Sequence, residues 1–282
     1  MVEKGEKNVM IVEKYQGCGN DFLIASLPSG SLSVSQVRRL CDRHYGLGAD
    51  GVILLQRQPL TMTVINADGS APSMCGNGLR CAVHYAWRHG WIRQSSVSVH
   101  TADGMREARI VSTQPFVCEL DMGCPDFDSR RITARFHPGL VHPPCCPQSC
   151  SCSFWIGVPH TVIFVDDPAS IDDDRARQIE QDPFFCQGTN VDFVCLDPEG
   201  ATLRIRTWER GVGWTLSCGS GACAAAAAGS LFGLCCLPVT VRSAGGELQV
   251  RTWRQRLFLC GRSGYIGKVE WEEDQNDDGR AD

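Results

Sequence analysis

Cys75-Gly76-Asn77-Gly78 and Cys218-Gly219-Ser220-Gly221 stand 143 residues apart in a chain of 282. Each opens an Ala-containing stretch that reads as a helix. The match continues upstream: Asn66 precedes the first cysteine by nine residues and Glu209 precedes the second by nine. In each half a β-like run leads through a polar, Gly-containing turn into Cys-Gly-x-Gly. A period of almost half the chain constrains the fold more than any single motif, because it implies two similar units. If the units face each other, the two helix starts meet. The boundary is expected near Gly123–Asp128, dividing the chain into residues 1–124 and 125–263 before a C-terminal segment, 264–282.

Short β-like runs dominate both halves. They are Val52–Leu55, Met62–Asn66, Val97–Thr101, Phe116–Met122, Thr161–Val165, Val191–Leu196, Leu203–Trp208, Val239–Arg242, Leu248–Trp253 and Leu257–Cys260. Several alternate, as in Leu203-Arg204-Ile205-Arg206, with the period of a half-buried strand. Four helices are expected. Ser33 or Ser35 caps one running to about His44, with Val37, Leu40 and Cys41 on one face. Gly76 to about His89 and Gly219 to about Phe232 follow the two cysteine motifs. Ser170 to about Gln181 reads as charged and exposed. The fold class is α+β.

Composition narrows the function. Lys+Arg number 27 against 32 Asp+Glu, a formal net charge of −5, which argues against a nucleic-acid partner. The 43% of hydrophobic residues excludes a disordered chain. The 17 cysteines are an odd number, and the chain is too long for a small disulfide scaffold. Met1–Asn8 is charged and polar, unlike a secretory signal. Ala222–Leu237 is shorter than the ~20 residues needed to span a bilayer. These features point to a soluble, cytoplasmic protein with reduced thiols and no membrane partner. From Glu270 onward the acidic tail reads as a solvated end.

Two Cys-Gly-x-Gly helix starts imply a chemistry. The first turn of a helix leaves N–H groups unsatisfied and carries partial positive charge. Glycines let a ligand approach that backbone, so a carboxylate is held without a basic side chain. A cysteine there is expected to have its pKa lowered. Two opposed thiols flanking one carboxylate site suit inversion of an amino-acid α-carbon. A thiolate removes the α-hydrogen from one face and a thiol returns a proton to the other. Aimed N–H donors stabilise the enolate-like charge, and no metal or pyridoxal cofactor is called for.

These residues resemble the diaminopimelate epimerase family, and the resemblance covers nearly the whole chain. It is carried by Lys14-Tyr15-Gln16-Gly17-Cys18-Gly19-Asn20-Asp21-Phe22, by Arg43-His44-Tyr45-Gly46-Leu47-Gly48-Ala49-Asp50-Gly51, and by Asn66-Ala67-Asp68-Gly69-Ser70 with Cys75-Gly76-Asn77-Gly78-Leu79-Arg80-Cys81. The second half adds Gly188-Thr189-Asn190-Val191, Glu209-Arg210-Gly211 and Cys218-Gly219-Ser220-Gly221-Ala222-Cys223-Ala224. The resemblance implies that Cys75 and Cys218 are the acid/base pair and that Gly76, Asn77, Gly219 and Ser220 hold the reacting carboxylate. It implies that Asn20, Asn66, Asn190, Glu209 and Arg210 recognise the rest of a small amino-acid substrate, with His160 near the thiols. It also implies two pseudo-symmetric units, each a curved antiparallel sheet or barrel around a central helix. A final strand near Gly264–Trp271 returns to the first unit, and a homodimer is a possible assembly. One position departs from the family pattern: the Gly-Asn-Pro-His block reads Gly157-Val158-Pro159-His160, and Val158 cannot hydrogen-bond through its side chain. A racemase of another amino acid is therefore the alternative within this fold.

Other motifs point elsewhere. Gly46-x-Gly48-x-x-Gly51 matches a dinucleotide fingerprint by letter, but it follows a helix and precedes a strand, the reverse of the required order. Cys145, Cys146, Cys150 and Cys152 lie within eight residues, so a metal-binding or redox-switch thiol protein is the alternative from another class. Two separated Cys-x-x-Cys knuckles are lacking, so no metal site is assigned. Cys81, His84 and His89 follow Cys75 on the expected helix, where core packing accounts for them.

Overall fold

The computed structural model describes residues 9–26, 31–72, 74–133, 140–146, 150–197 and 202–272. Its first half holds β1 (Val9–Gly17), β2 (Asn20–Ser26), α1 (Val34–Cys41), β3 (Gly51–Gln56), β4 (Thr61–Asn66), α2 (Gly76–Arg88), β5 (Ser96–Thr101), β6 (Gly104–Thr113) and β7 (Phe116–Gly123). The second holds β8 (Ser151–Ile156), β9 (Val158–Phe164), α3 (Asp173–Glu180), β10 (Asn190–Leu196), β11 (Thr202–Glu209), β12 (Gly213–Thr215), α4 (Gly219–Leu231), β13 (Val239–Ser243), β14 (Gly246–Trp253) and β15 (Arg256–Arg262). The last strand, β16 (Gly264–Glu272), pairs antiparallel with β1.

The repeat seen in the motifs recurs in the ladders. From β1 to β7 successive neighbours pair antiparallel, parallel, antiparallel, parallel, antiparallel, antiparallel. From β8 to β15, with β12 a side hairpin on β11, the order of polarities is the same. The two series join where β7 pairs antiparallel with β15, giving one continuous path. The parallel pairs are β2/β3, β4/β5, β9/β10 and β11/β13, and each brackets one helix. A parallel pair needs a long crossover, usually helical, so four helices and four parallel ladders are one fact. The remaining ladders are antiparallel.

The helices fall into two kinds. α1 begins at Ser33, whose hydroxyl accepts from the Gln36 N–H while the Gln36 side chain accepts from the Ser33 N–H, a reciprocal cap. Its Val37, Leu40 and Cys41 pack on Val12, Leu23, Ala25 and Val52. α3 covers the matching face of the second half through Ala176 and Ile179 against Val191, Phe193 and Trp208. α2 and α4 fill the interior instead. α4 buries Ala222, Ala224, Ala225, Ala226 and Ala228 to 2% exposure or less, and its small side chains let β8–β11 and β13–β15 surround it. A helix apolar on every side belongs in a core.

Several sequence expectations are refined. Ser170 ends a separate 3₁₀ turn, and α3 starts after an Asp172 cap. The segment is charged but not simply exposed, because Ala176 and Ile179 face inward at every turn. Ser151 and Cys152 belong to β8, paired with Ile163 and Val162, so the cysteine-rich stretch 145–152 ends in a strand. β1, β2, β6 and β12 also lay outside the expected runs. Cys81 is core, His84 stacks on Phe116 at 4.1 Å and His89 meets Glu13 at 3.0 Å. Most of the acidic tail lies outside the described residues. No helix among the described residues is long and apolar enough to cross a membrane.

Candidate active site

Cys75 and Cys218 cap α2 and α4 with extended backbone, so each thiol stands at a helix N-terminus beside unsatisfied N–H groups. The Cys75 sulfur accepts from the Gly78 N–H at 3.3 Å. The two starts approach closely. A Cβ placed on Gly219 would lie 3.9 Å from the Cα of Gly76 and 3.0 Å from Leu259 Cδ2, and one on Gly76 would lie 3.8 Å from the same Leu259 atom. Leu259, on β15, thus packs between both starts. Asn77 spans them, its Nδ2 donating to the Ser217 carbonyl at 3.1 Å.

One pocket opens between these elements. It is lined by Asn20, Cys75, Gly76, Asn77, Glu209, Cys218, Gly219 and Ser220 together with Met74, Ile156, Gly157, Val158 and Ser217. Eight residues singled out in the sequence are therefore brought together. His160 and Asn190 sit behind the lining. They are register partners on β9 and β10, with Asn190 Nδ2 3.4 Å from His160 Nε2. Asn66 and Arg210 are not among the described residues that line the pocket. Asn66 donates through Nδ2 to Ser70 at 2.9 Å. Arg210 is exposed, its Nη1 donating to the Gln187 carbonyl and its backbone N–H to Asn190 Oδ1.

A polar chain runs from the core to Cys218. His160 Nδ1 lies 2.7 Å from Asp192 Oδ2, Nε2 lies 2.9 Å from Ser220 Oγ, and Ser220 Oγ lies 3.4 Å from Cys218 Sγ. Asp192 also accepts from Thr207 Oγ1 at 2.8 Å. A carboxylate only accepts, so it fixes the Nδ1–H tautomer and leaves Nε2 of the neutral ring to accept from Ser220. Sequence reasoning missed Asp192. Its signal was a lone carboxylate in the apolar run Val191–Leu196, a pattern that requires a buried partner. Gly221 makes room for it, since a Cβ there would collide with Asp192 Oδ1.

The electrostatics correct one expectation. Burial, with the Glu209 carboxylate, pushes the Cys75 thiol up to about 11, against the Gly78 N–H, Arg80 and the Asn77 N–H, which pull it down. Cys218 is raised further, first by burial and then by the Glu209 and Asp192 carboxylates. Burial also raises Glu209, which accepts from Thr215 Oγ1 at 2.7 Å. The helix-start N–H groups are present as expected, but loss of water outweighs them. Asn20 Oδ1 and Ser217 Oγ are buried without a partner among the described residues.

The Cys145–Cys152 cluster disperses. Cys152 points into the core from β8, while Cys145 and Cys146 sit 3.7 Å apart beside α3. Residues 147–149 lie outside the described residues. Among the described residues, no group of three or more His, Cys, Asp or Glu side chains converges as a metal would require.

The chain matches the diaminopimelate epimerase family over residues 12–127 and 152–262. It is 35% identical over 279 residues to a diaminopimelate epimerase from Halothermothrix orenii, covering 92% of this chain and 98% of the relative. It is 37% identical over 267 residues to one from Nostoc punctiforme, covering 88% and 94%. The fold is shared with a hydroxyproline epimerase from Agrobacterium vitis, with TM-score 0.64, 17% identity and coverage of 96% of this chain and 93% of that one. Paired cysteine motifs, repeated ladders and sequence identity over most of the length lead to one conclusion: this chain belongs to the diaminopimelate epimerase family.

Proposed function

We propose that the protein interconverts LL- and meso-diaminopimelate by two-thiol acid–base catalysis, serving lysine and cell-wall precursor synthesis. The observation that carries this reading is the convergence of Cys75 and Cys218, each at a helix start, on one pocket. The N–H groups of Gly76, Asn77, Gly219 and Ser220 bind the reacting carboxylate. One thiolate takes the α-hydrogen, charge spreads into the carboxylate under those N–H groups, and the opposite thiol protonates the other face. Aimed donors in a site shielded from water are the largest contribution available to such a step. Proton transfer contributes about 10²–10⁴-fold. Asn20, Glu209 and Asn190 serve the distal end. Asn66 and Arg210 reach it when residues 1–124 with 264–282 and residues 125–263 close as two units. Arg210 then offers a bidentate partner to the distal carboxylate. His160 tunes Cys218 through Ser220.

The mechanism uses both thiols reduced and no cofactor, which fits a cytoplasmic enzyme. A homodimer is the assembly that the family resemblance supports. A second reading, racemisation of a less polar amino acid, rests on Val158, which joins Met74 and Ile156 in an apolar wall. The test is incubation of reduced protein with LL-diaminopimelate in heavy water, following the α-proton by NMR. Loss of the signal with appearance of the meso isomer supports the first reading. Exchange confined to another amino acid supports the second.

A further inference from the structure

Glu180, the last residue of α3, carries a carboxylate and has 8% exposure. Burying such a group is costly unless its hydrogen bonds are made. Both oxygens are engaged. Oε2 accepts from the Trp208 indole Nε1–H at 2.7 Å, and Oε1 accepts from the Gly211 backbone N–H at 2.8 Å. The first donor stands directly before Glu209 in sequence and the second directly after Arg210. One carboxylate therefore brackets the pair Glu209-Arg210 from both sides. Hydrogen bonds to an ionised acceptor are roughly twice as strong as neutral ones. Packing alone does not call for a carboxylate at this position, because Ala176 and Ile179 already seat α3 against Val191, Phe193 and Trp208.

The same helix end holds the segment beside that turn. The Glu180 carbonyl accepts from the Thr189 N–H at 3.2 Å. The next residue, Asn190, accepts from the Arg210 N–H through Oδ1 at 2.8 Å. Gly188 permits the approach: its φ is +71°, and a Cβ there would lie 2.8 Å from the Glu180 carbonyl oxygen and 3.3 Å from Arg210 Cδ. Residues 188–190 and 208–211 thus meet on the end of α3. The internal repeat shows a matching arrangement. Asp68 stands two residues after Asn66, and Gly211 two after Glu209, so they are counterparts. From α1, Arg38 Nη2 and Nε donate to the Asp68 carbonyl at 3.0 and 3.2 Å. In each half the outer helix holds the turn that follows Asn66 or Glu209. The Arg38 contact is exposed, whereas the Glu180 carboxylate is buried.

We propose that Glu180 is a positioning residue for substrate recognition, holding Glu209 and Arg210 in the turn from which they meet the distal end of the substrate. This rests on the reading of those two residues as substrate-recognising. Glu209 lines the pocket, and Glu180 is not among the described residues that do. Glu180 therefore acts through the turn and not by touching the substrate. The helix that covers the outer face of the second half is, on this account, also the support of its recognition turn.

Glu180→Gln keeps the shape of the side chain but presents one oxygen and one NH2 group, so only one of the two N–H donors is received. Two quantities are read on the full chain: hydrogen exchange of the backbone amides of residues 209–212 by mass spectrometry, and KM against kcat for diaminopimelate. In the native protein the Gly211 N–H is expected to exchange slowly, and free exchange there overturns the proposal without any variant. In Glu180→Gln, exchange of the segment is expected to quicken and KM to rise, each about tenfold for one lost charge-assisted bond, with kcat changing less. Ile179→Val loosens the packing of α3 and leaves the carboxylate in place. It is expected to lower the melting temperature while exchange of the turn and KM stay near native values. Equal behaviour of the two variants means a merely structural role and overturns the proposal, as does a fall in kcat at constant KM. If the native protein turns over another amino acid and not diaminopimelate, the substrate reading fails and the same split is measured on that amino acid. Exchange at the native rate in Glu180→Gln overturns the proposal whatever the substrate, since that measurement needs no turnover.

Discussion

Asn77 and Ser217, 140 positions apart in sequence, are joined by a hydrogen bond of 3.1 Å from the Asn77 amide to the Ser217 carbonyl. Asn77 lies within one helix-start motif and Ser217 directly precedes the other, so the bond ties the two candidate acid/base elements directly. Asn77→Leu removes the donor to Ser217 and the acceptor for Arg80 together. A buried group left unpaired costs about 1–3 kcal/mol. Urea unfolding is expected to show a loss in that range or above it, with activity falling further than stability. An unchanged unfolding midpoint would mean the bond does not persist in solution.

Either Cys75→Ala or Cys218→Ala is expected to lower epimerisation by at least about 10²-fold, the lower end of what proton transfer supplies. In the native protein, kcat/KM is expected to rise with pH between 7 and 9. Burial holds the Cys75 thiol up at about 11, so below that value each unit of rise in pH gives about ten times more thiolate. A rate that is flat over this interval would require a thiolate already formed.

Alkaline stability follows from the core thiols. Burial raises Cys81, Cys118 and Cys152 to about 12 and Cys41 to about 11. Above pH 9 the unfolded chain releases protons that the folded chain still holds, so unfolding becomes easier as pH rises. Stability is fully present below 9 and is expected to fall steadily from 9 to 12. Thermal melts across that window check the sign.

Gly221→Ala places a methyl group against Asp192 Oδ1 and 3.0 Å from Thr207 Oγ1. Both are backed by the core and cannot swing away. Overpacking of this kind costs about 1–3 kcal/mol. The variant is expected to melt lower and, by displacing Asp192 from His160, to lose activity beyond its loss of fold.

Val158→Asn restores a side-chain amide to the pocket wall. KM for diaminopimelate is expected to fall, by up to about tenfold for one hydrogen bond, with kcat little changed. A rise in KM would show that Met74 and Ile156 have reshaped the wall around valine.

The repeat made the two central helices and their convergence legible, because Cys-Gly-x-Gly fixes a helix start and two copies fix a partner. The capped helix after Ser33 was legible for a local reason, its reciprocal cap. What escaped was set by distant contacts. Thiol ionisation depends on how much water the fold removes, and no local motif records that. Asp192 takes its meaning from His160, 32 residues earlier, and from Thr207, 15 later. β8 hid inside a cysteine-rich stretch because composition there says loop while pairing with β9 says strand. Arg210 carried the family signature, yet its guanidinium is turned to the Gln187 carbonyl.

Leu259 touches the start of each central helix, and its consequence concerns tolerance to surroundings. Two acid–base groups acting on opposite faces of one carbon need a fixed gap, since small misplacements cost large factors in rate. One contact that bears on that spacing is a hydrocarbon branch on a paired strand. The Leu259 contact itself carries no charge, so a change of acidity or ionic strength leaves that part of the packing alone.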